Sequence, residues 1–368
     1  MRKVRLGIIG AGNIGTRHIE HLLSGRVPEA ELTAVADRDP EKRLLAKKAA
    51  AEAAAFEEGE GLIRSGECEA VLIAVPHYQH PELAVSAFRH GLHVLCEKPA
   101  GVYTKQVREM NAEAEHHPEL TFGMMFNQRT DCLYRKAREL VSGGGLGKLK
   151  RMNWIVTDWY RPQYYYDSGG WRATWDGEGG GVLLNQCPHN LDLLQWICGM
   201  PERVRAFCHE GKWHDIEVED DVTAYLEFPG GATGVFVTST ADAPGTNRLE
   251  LTLEGGKLVC EGGKLTLWRL AENERDFNRK VRESFPSLPH TVEEVETDGL
   301  NPQHAGVINA FAANILRGEP LVAHGSEGLY GLTLSNAMHL SSWLEQTVDL
   351  PLDEDLFLDM LDRKRKRK

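Results

Sequence analysis

Lys98 and His189 are the residues whose types and surroundings best suit proton chemistry, with Asn185 near His189 as an orienting group. Lys98 stands in Glu97-Lys98-Pro99, directly after the apolar run His93–Cys96. A lysine at the carboxyl end of a parallel strand, held against a proline, faces the crevice where ligands of such sheets bind. Desolvation and a neighbouring positive charge lower a lysine pKa, which suits a proton carrier or a polarising donor. A surface lysine in a turn fits the position as well. Further on, Gly179-Gly180-Gly181 gives way to a segment with helical periodicity, in which Asn185 and His189 are four residues apart. That spacing predicts both side chains on one helical face, a turn apart, with Leu184, Leu191 and Leu194 as apolar anchors. A core helix carrying one hydrogen-bonded histidine satisfies the same pattern.

The elements that must position these groups begin at the N-terminus. Val4–Ile9 is a short apolar run ending in Gly10-Ala11-Gly12-Asn13-Ile14-Gly15, followed by helical periodicity at Ile19, Leu22 and Leu23. In strand, glycine turn and helix, the first glycine permits the turn and the second lets the backbone approach a pyrophosphate. The third lets helix and strand pack closely. The N-terminus of the helix then offers unpaired N–H groups to the anion. A second apolar run, Leu32–Ala36, ends in Asp37, twenty-two residues beyond Gly15. An acidic side chain there accepts hydrogen bonds from both ribose hydroxyls and repels a 2′-phosphate, which favours NAD. Arg38 follows and can partner a phosphate, so NADP stays open. Asp37 also fits a turn residue before a helix capped at Asp39-Pro40.

Helical patterns at about 40–55, 81–89 and 104–115 alternate with apolar runs at 70–75, 93–96 and 120–124. Alternation at this spacing predicts a parallel, doubly wound sheet. One strand end carries Pro76-His77-Tyr78-Gln79-His80. His77 and His80 lack further ligands at fitting spacing, so no metal site is expected. In the second half, a helical segment at about 131–142 and a strand at 149–157 precede an aromatic stretch. It holds Trp159, Tyr160, Arg161, Tyr164, Tyr165, Tyr166, Trp171, Arg172 and Trp175. Rings stacking on the C–H faces of a sugar explain such a cluster, and loop packing or a subunit contact explains it too. Residues 202–268 alternate apolar and polar and predict an antiparallel sheet. The charged stretch 272–300 reads as a surface excursion, followed by helices at about 303–316 and 326–346. His304 opens the first of these, either at the crevice or as a cap-region residue.

Together these pieces resemble the glucose–fructose oxidoreductase, inositol dehydrogenase and rhizopine-catabolism family, written Gfo/Idh/MocA. The matching residues are Gly10-x-Gly12-x-x-Gly15, Asp37, Val71–Pro76 with His80, Glu97-Lys98-Pro99, and the glycine-led His189 stretch with Asp192 and Trp196. Val218-Glu219-Asp220-Asp221 and Val348-Asp349-Leu350-Pro351 match as well, in the family's order over nearly the whole chain. The resemblance implies an α/β protein. Its parts are a Rossmann domain (1–123), an α+β substrate-binding and oligomerisation domain with a large, mostly antiparallel open-faced sheet (124–362), and a basic tail (363–368). It implies hydride transfer between NAD(P) and a secondary hydroxyl of a sugar, sugar acid or cyclitol. Lys98 would position and polarise that hydroxyl, and His189 would take its proton. Asn185 stands where many members have aspartate, and an asparagine orients but accepts no proton. Gly10, Gly12, Asn13, Ile14, Gly15, Asp37, Arg38, Pro76, His80, Glu97, Lys98, Asn127, Trp171 and Arg172 are the expected coenzyme contacts. Lys98, Tyr160, Tyr166, Trp175, Asn185 and His189 are the expected substrate contacts. Two rivals follow from the same family: redox-neutral glycoside cleavage with NAD, and a non-catalytic nucleotide-binding regulator.

The bulk properties bound the partners. A formal charge of −12 over 368 residues argues against general nucleic-acid binding, and the run Arg363–Lys368 reads as a solvated tail. Seven scattered cysteines without a C-x-x-C pair fit reduced thiols in cytoplasm. No signal peptide and no membrane span are expected. An exposed sheet face predicts a homodimer or homotetramer.

Overall fold

The computed structural model describes residues 2–366, which divide into two compact units. The first comprises the chain up to Thr130, with Gly177–Gly179 and Asn301–Leu332; the second comprises Asp131–Asp176, Gly180–Leu300 and the described residues from Thr333 onward.

Within the first unit, β1 (Val4–Ile9), α1 (Asn13–Leu23), β2 (Ala30–Ala36), α2 (Pro40–Ala49), β3 (Ala54–Phe56) and α3 (Gly59–Ile63) come in order. They are followed by β4 (Ala70–Ile73), α4 (His80–Arg89), β5 (His93–Cys96), α5 (Thr104–Glu115) and β6 (Phe122–Met124). All neighbouring strands run parallel, in the order β3-β2-β1-β4-β5-β6. β4 is buried along its whole length, as expected of a parallel strand covered on both faces. Asp39 caps α2 by accepting from Glu41 N–H at 2.9 Å. The helix expected to run to about 55 stops at Ala49, and β3 follows at the sheet edge. A run of alanines has no apolar period to mark that boundary.

The second unit opens with α6 (Cys132–Ser142) and β7 (Leu149–Val156). The short α7 (Gln163–Asp167) lies within the aromatic stretch, and α8 (Pro188–Cys198) follows. Next come β8 (Arg203–Glu210), β9 (Glu219–Glu227), β10 (Thr233–Ser239), β11 (Asn247–Leu253), β12 (Gly256–Glu261), β13 (Lys264–Leu270), α9 (Glu274–Lys280) and β14 (His290–Glu294). The chain continues through α10 (Gln303–Arg317), α11 (Gly328–Leu344), β15 (Val348–Asp349) and α12 (Glu354–Arg365).

The large sheet runs β14-β13-β12-β11-β7-β10-β9-β8-β15, antiparallel except at β7–β10. Trp154 and Phe236 meet edge-on at 6.3 Å in its buried face. The opposite face leaves Ile155, Phe207, Tyr225 and Val235 exposed. The excursion at 272–300 is more regular than expected: Asn273 caps α9, and β14 pairs with β13. β14 is exposed throughout, so no alternation betrays it in the sequence. In the first unit, α10 buries Val307, Ile308 and Phe311 in one core with Leu6, Ile8 and Leu95. Each such side chain contributes about 1.5–3 kcal/mol.

The basic terminus is no free tail as far as it is described. Arg363–Arg365 close α12, where Lys364 Nζ bonds both Glu210 oxygens (2.5 and 2.7 Å) and Arg365 bonds Asp176. Arg367 and Lys368 lie outside the described residues.

Candidate active site

In the first unit the glycine turn has the shape the motif requires. Gly10 adopts φ +98°, and a Cβ there would lie 2.4 Å from the Ala74 carbonyl oxygen. A Cβ on Gly15 would lie 1.8 Å from the Gly10 carbonyl oxygen, so α1 packs directly against the turn. A Cβ on Gly12 would meet nothing within 4 Å, and no side chain caps α1. The first N–H groups of Asn13, Ile14 and Gly15 therefore have no intrahelical acceptor and suit an anion. Asp37, at the end of β2, accepts from Ala11 N–H (2.7 Å) and Asp39 N–H (2.9 Å), which fixes its carboxylate against the glycine turn. Arg38 is held outward by Glu58 at 3.0 Å.

Two buried histidines brace the end of β5. His80 Nδ1 lies 2.7 Å from the Pro99 carbonyl oxygen and Nε2 lies 2.7 Å from that of Val75, joining the ends of β4 and β5. Burial pushes its pKa down against the pull of those two carbonyls. His18, on α1, places Nε2 2.7 Å from Glu97 Oε1, with both side chains buried. Glu97 Oε2 accepts the backbone N–H of Lys98 at 3.1 Å. Burial alone would raise the Glu97 pKa, but the hydrogen bond and charge of His18, then Lys98 and His304, outweigh it and hold the group at about 2. His304 packs edge-on to His18 at 5.5 Å, and burial lowers its pKa to about 4. Pro76 leads a short turn whose His77 Nδ1 contacts the Glu178 carbonyl oxygen at 3.0 Å. Asn127 is buried and donates from Nδ2 to Gln303, while its Oδ1 has no partner among the described residues.

In the second unit Asn185 is not on the helix of His189. α8 starts at Pro188, and Asn185 sits in the preceding turn, its N–H bonded to the Gly181 carbonyl. The reason lies at Gly181. A Cβ there would be 1.9 Å from the Glu219 carbonyl oxygen, so the segment closes onto β9 before the helix can begin. Glu219 is fully buried; it accepts Gly181 N–H (2.8 Å) and Leu183 N–H (3.0 Å) and lies 3.0 Å from His339 Nε2. Burial raises the Glu219 pKa, but His339 and the two backbone donors bring it below the usual value. His189, on the first turn of α8, is 8% exposed.

The aromatic residues separate into three environments. Tyr166 is buried, its hydroxyl 2.8 Å from Thr240 Oγ1 and its ring 4.9 Å from His214. Trp175 is buried edge-on against His339 and Trp343, both at 5.4 Å. Both side chains take part in these packing contacts, and both are buried, as His189 is. Tyr160 is half exposed and lies beside Arg161, which donates to its carbonyl at 2.9 Å. Tyr165 is the ring that meets the expected site: Asn185 Nδ2 and Gln186 Nε2 each donate to its hydroxyl at 3.3 Å. Arg172 lies 4.7 Å above that ring and 5.2 Å from the Trp171 ring. His214 anchors the neighbouring loop, with Nδ1 2.9 Å from Asp220 Oδ2 and Nε2 2.9 Å from the Arg161 carbonyl oxygen.

The fold thus brings together Gly10–Gly15 with Asp37, Glu97–Pro99 with His80, and Asn185 with Tyr165 and Arg172. Sequence reasoning did not single out His18, Tyr165, His214, Glu219 or His339. Glu219 stood in a matching motif without a role; the buried histidines carry no pattern at all.

A parallel sheet with this glycine turn and acidic strand end defines a dinucleotide-binding domain. The chain belongs to the Gfo/Idh/MocA family. Residues 4–123 match the oxidoreductase family, NAD-binding Rossmann fold, and residues 134–259 match the GFO/IDH/MocA C-terminal domain. It is 27% identical over 366 residues to the myo-inositol 2-dehydrogenase of Thermotoga maritima, spanning 95% of this chain and 99% of that protein. It is similar to the WlbA dehydrogenase of Bordetella pertussis, solved with NADH and UDP-GlcNAcA (26% identity, TM-score 0.81, 96% of this chain and 100% of that one). A levoglucosan dehydrogenase solved with NADH and L-sorbose shares the fold at 18% identity and TM-score 0.79, over 96% of this chain and all of that one. The protein is an NAD-binding oxidoreductase. Among the described residues no helix is long and apolar enough to cross a membrane.

Proposed function

We propose that this enzyme transfers hydride between NAD and a secondary hydroxyl of a sugar, sugar acid or cyclitol. The observation that carries the reading is Lys98 at the end of β5, its backbone N–H held by an ionised Glu97 in the unit that bears the glycine turn. The relatives named above, a cyclitol dehydrogenase and a dehydrogenase solved with a nucleotide-sugar acid, support the substrate class. Asp37 on the glycine turn and Arg38 engaged by Glu58 support NAD over NADP. Gly10, Gly12 and the first N–H groups of α1, at Asn13, Ile14 and Gly15, seat the pyrophosphate. Pro76, Asn127, Trp171 and Arg172 belong to the coenzyme's surroundings.

Bound NAD supplies the acceptor for the hydride that leaves the carbinol carbon. His189 takes the hydroxyl proton as the C–O bond becomes a carbonyl, and the Lys98 ammonium donates to that same oxygen. In reduction His189 returns the proton. Asn185 orients the substrate hydroxyl without taking charge. Ile155, Phe207, Tyr225 and Val235 on one sheet face support self-association as a homodimer or homotetramer. Seven cysteines, all in the thiol form, support a reducing, cytoplasmic setting.

The test is to mix the protein with NAD and a panel of sugars, sugar acids and inositols and follow the absorbance of reduced nicotinamide. Turnover on at least one is expected, with Lys98→Ala and His189→Ala each lowering kcat by about 10²- to 10⁴-fold. Unchanged turnover in either variant would overturn the role given to that residue.

A further inference from the structure

His214 has two hydrogen-bond partners, and both are acceptors. Its Nε2 lies 2.9 Å from the Arg161 carbonyl oxygen, which has no proton to give. Its Nδ1 lies 2.9 Å from Asp220 Oδ2. Asp220 is fully buried and also accepts the backbone N–H groups of Lys212, Trp213 and His214, at 3.1, 2.9 and 3.0 Å. Accepting from three donors is what an ionised carboxylate does, so the proton shared with His214 rests on Nδ1. A neutral imidazole carries one N–H and would set a bare nitrogen against one of these oxygens. Both bonds are made only when both nitrogens are protonated. A bonded carboxylate separates this histidine from His80, whose two acceptors are carbonyls and whose burial opposes the charge.

What this pair holds is the aromatic loop. Arg161 donates its N–H to the Thr240 carbonyl at 2.8 Å and gives its own carbonyl to His214. Asp215 N–H donates to Gln163 Oε1 at 2.9 Å, and Gln163 Nε2 donates back to the Asp215 carbonyl at 3.2 Å. The Tyr166 ring packs 4.9 Å from the imidazole. Tyr165, between Gln163 and Tyr166 in the chain, accepts from Asn185 and Gln186. The other charged groups around the ring are engaged elsewhere. Lys212 pairs with Asp221 at 2.9 Å, Glu219 with His339 at 3.0 Å, and Glu217 accepts Trp175 N–H at 3.2 Å. Asp167 accepts from Gln163, the Arg161 guanidinium lies 5.1 Å from the Tyr165 ring, and Asp215 is exposed. We propose that His214 is a positioning residue acting as an imidazolium latch: doubly protonated, it fastens residues 161–166 to Asp220 and so holds Tyr165 against Asn185. When Nε2 loses its proton, its lone pair meets that of the Arg161 carbonyl, and the latch opens while the bond to Asp220 stays. The effect on turnover rests on the function proposed above, in which Asn185 orients the substrate hydroxyl; the latch itself does not.

The test uses the full-length protein with isotope-labelled histidine and tyrosine, followed by NMR from about pH 5 to about pH 9. His214→Gln and Tyr165→Phe assign the two sets of signals. At the acid end both His214 ring nitrogens should carry protons, and as one leaves, the Tyr165 ring signals should shift with the same midpoint. In His214→Gln an amide N–H stands in for Nε2 at every pH, and the Tyr165 signals should hold still. A His214 ring that keeps the same number of protons across the range overturns the proposal. So does a Tyr165 ring indifferent to that titration. For turnover the probes are NAD with myo-inositol, D-glucose and D-glucuronate. Below the His214 midpoint, His214→Ala should lower kcat/KM about 10-fold for each probe oxidised, with the NADH affinity at its wild-type value. His214→Gln should restore kcat/KM and lack the part of the alkaline fall that tracks the His214 titration. Wild-type kcat/KM in His214→Ala, or an equal loss in both variants, overturns the positioning role. If NADH binds but none of the probes is oxidised, the proposed function fails for them, and the NMR titration decides the latch.

Discussion

Each unit pairs a buried carboxylate with a histidine next to a segment of the proposed site, but the two pairs stand at different distances from the residues proposed to react. In the coenzyme unit, Glu97 joins His18 on one side and the backbone N–H of Lys98 on the other. In the second unit, Glu219 joins His339 to the N–H groups of Gly181 and Leu183, upstream of Asn185 and His189. One clamp holds Lys98 itself; the other holds the turn that leads to Asn185 and His189. The first should therefore act mainly on rate, and the second mainly on stability.

The sharpest test of that contrast is Glu219→Ala. It leaves His339 buried without its carboxylate and two backbone donors without an acceptor. A loss of about 3–5 kcal/mol in urea unfolding is expected. A loss below about 1 kcal/mol, with turnover falling instead, would put Glu219 on the same footing as Glu97. Next in size is Glu97→Gln, expected to lower kcat by about 10- to 100-fold with the NAD KM near its original value. This substitution should also alter the acid limb of stability. Glu97 titrates at about 2 in the fold, against an ordinary 4.5. Its contribution is complete above the ordinary value and is lost as pH falls through the folded one. Glu97→Gln should flatten unfolding free energy across that window, and an unchanged acid limb would contradict the pairing with His18.

The smallest effect belongs to His304, which faces His18 and His21 of α1 together with Glu97 and Lys98. Its pKa lies at about 4 in the fold and 6.5 ordinarily, so below 6.5 the unfolded chain binds the extra proton. Stability should fall as pH drops from 6.5 toward 4, and His304→Asn should remove part of that slope. A slope unchanged in that variant would show that His304 does not remain neutral there.

Legibility in the sequence followed periodicity. The parallel sheet, the glycine turn, Asp37 and the position of Lys98 all rest on apolar runs with polar ends, which a single chain displays directly. The second unit was legible in its alternating strands but not in its site. Helical spacing suggested one face for Asn185 and His189, whereas contact between Gly181 and β9 turns the chain before α8 begins. That contact joins residues 38 apart, and no local pattern reports it. The same holds for Tyr165 and Tyr166, identical in type and adjacent in sequence. Thr240, 74 residues from Tyr166, meets the hydroxyl of the one that is buried.

The proposed function has Lys98 and His189 acting on one hydroxyl, and a double-mutant cycle tests it most directly. kcat is measured with saturating NAD and sugar for the wild type, Lys98→Ala, His189→Ala and the double variant. The double variant should lose about as much as the worse single one, since groups acting as a unit are not additive. Losses that multiply as though the two residues were independent would contradict the account.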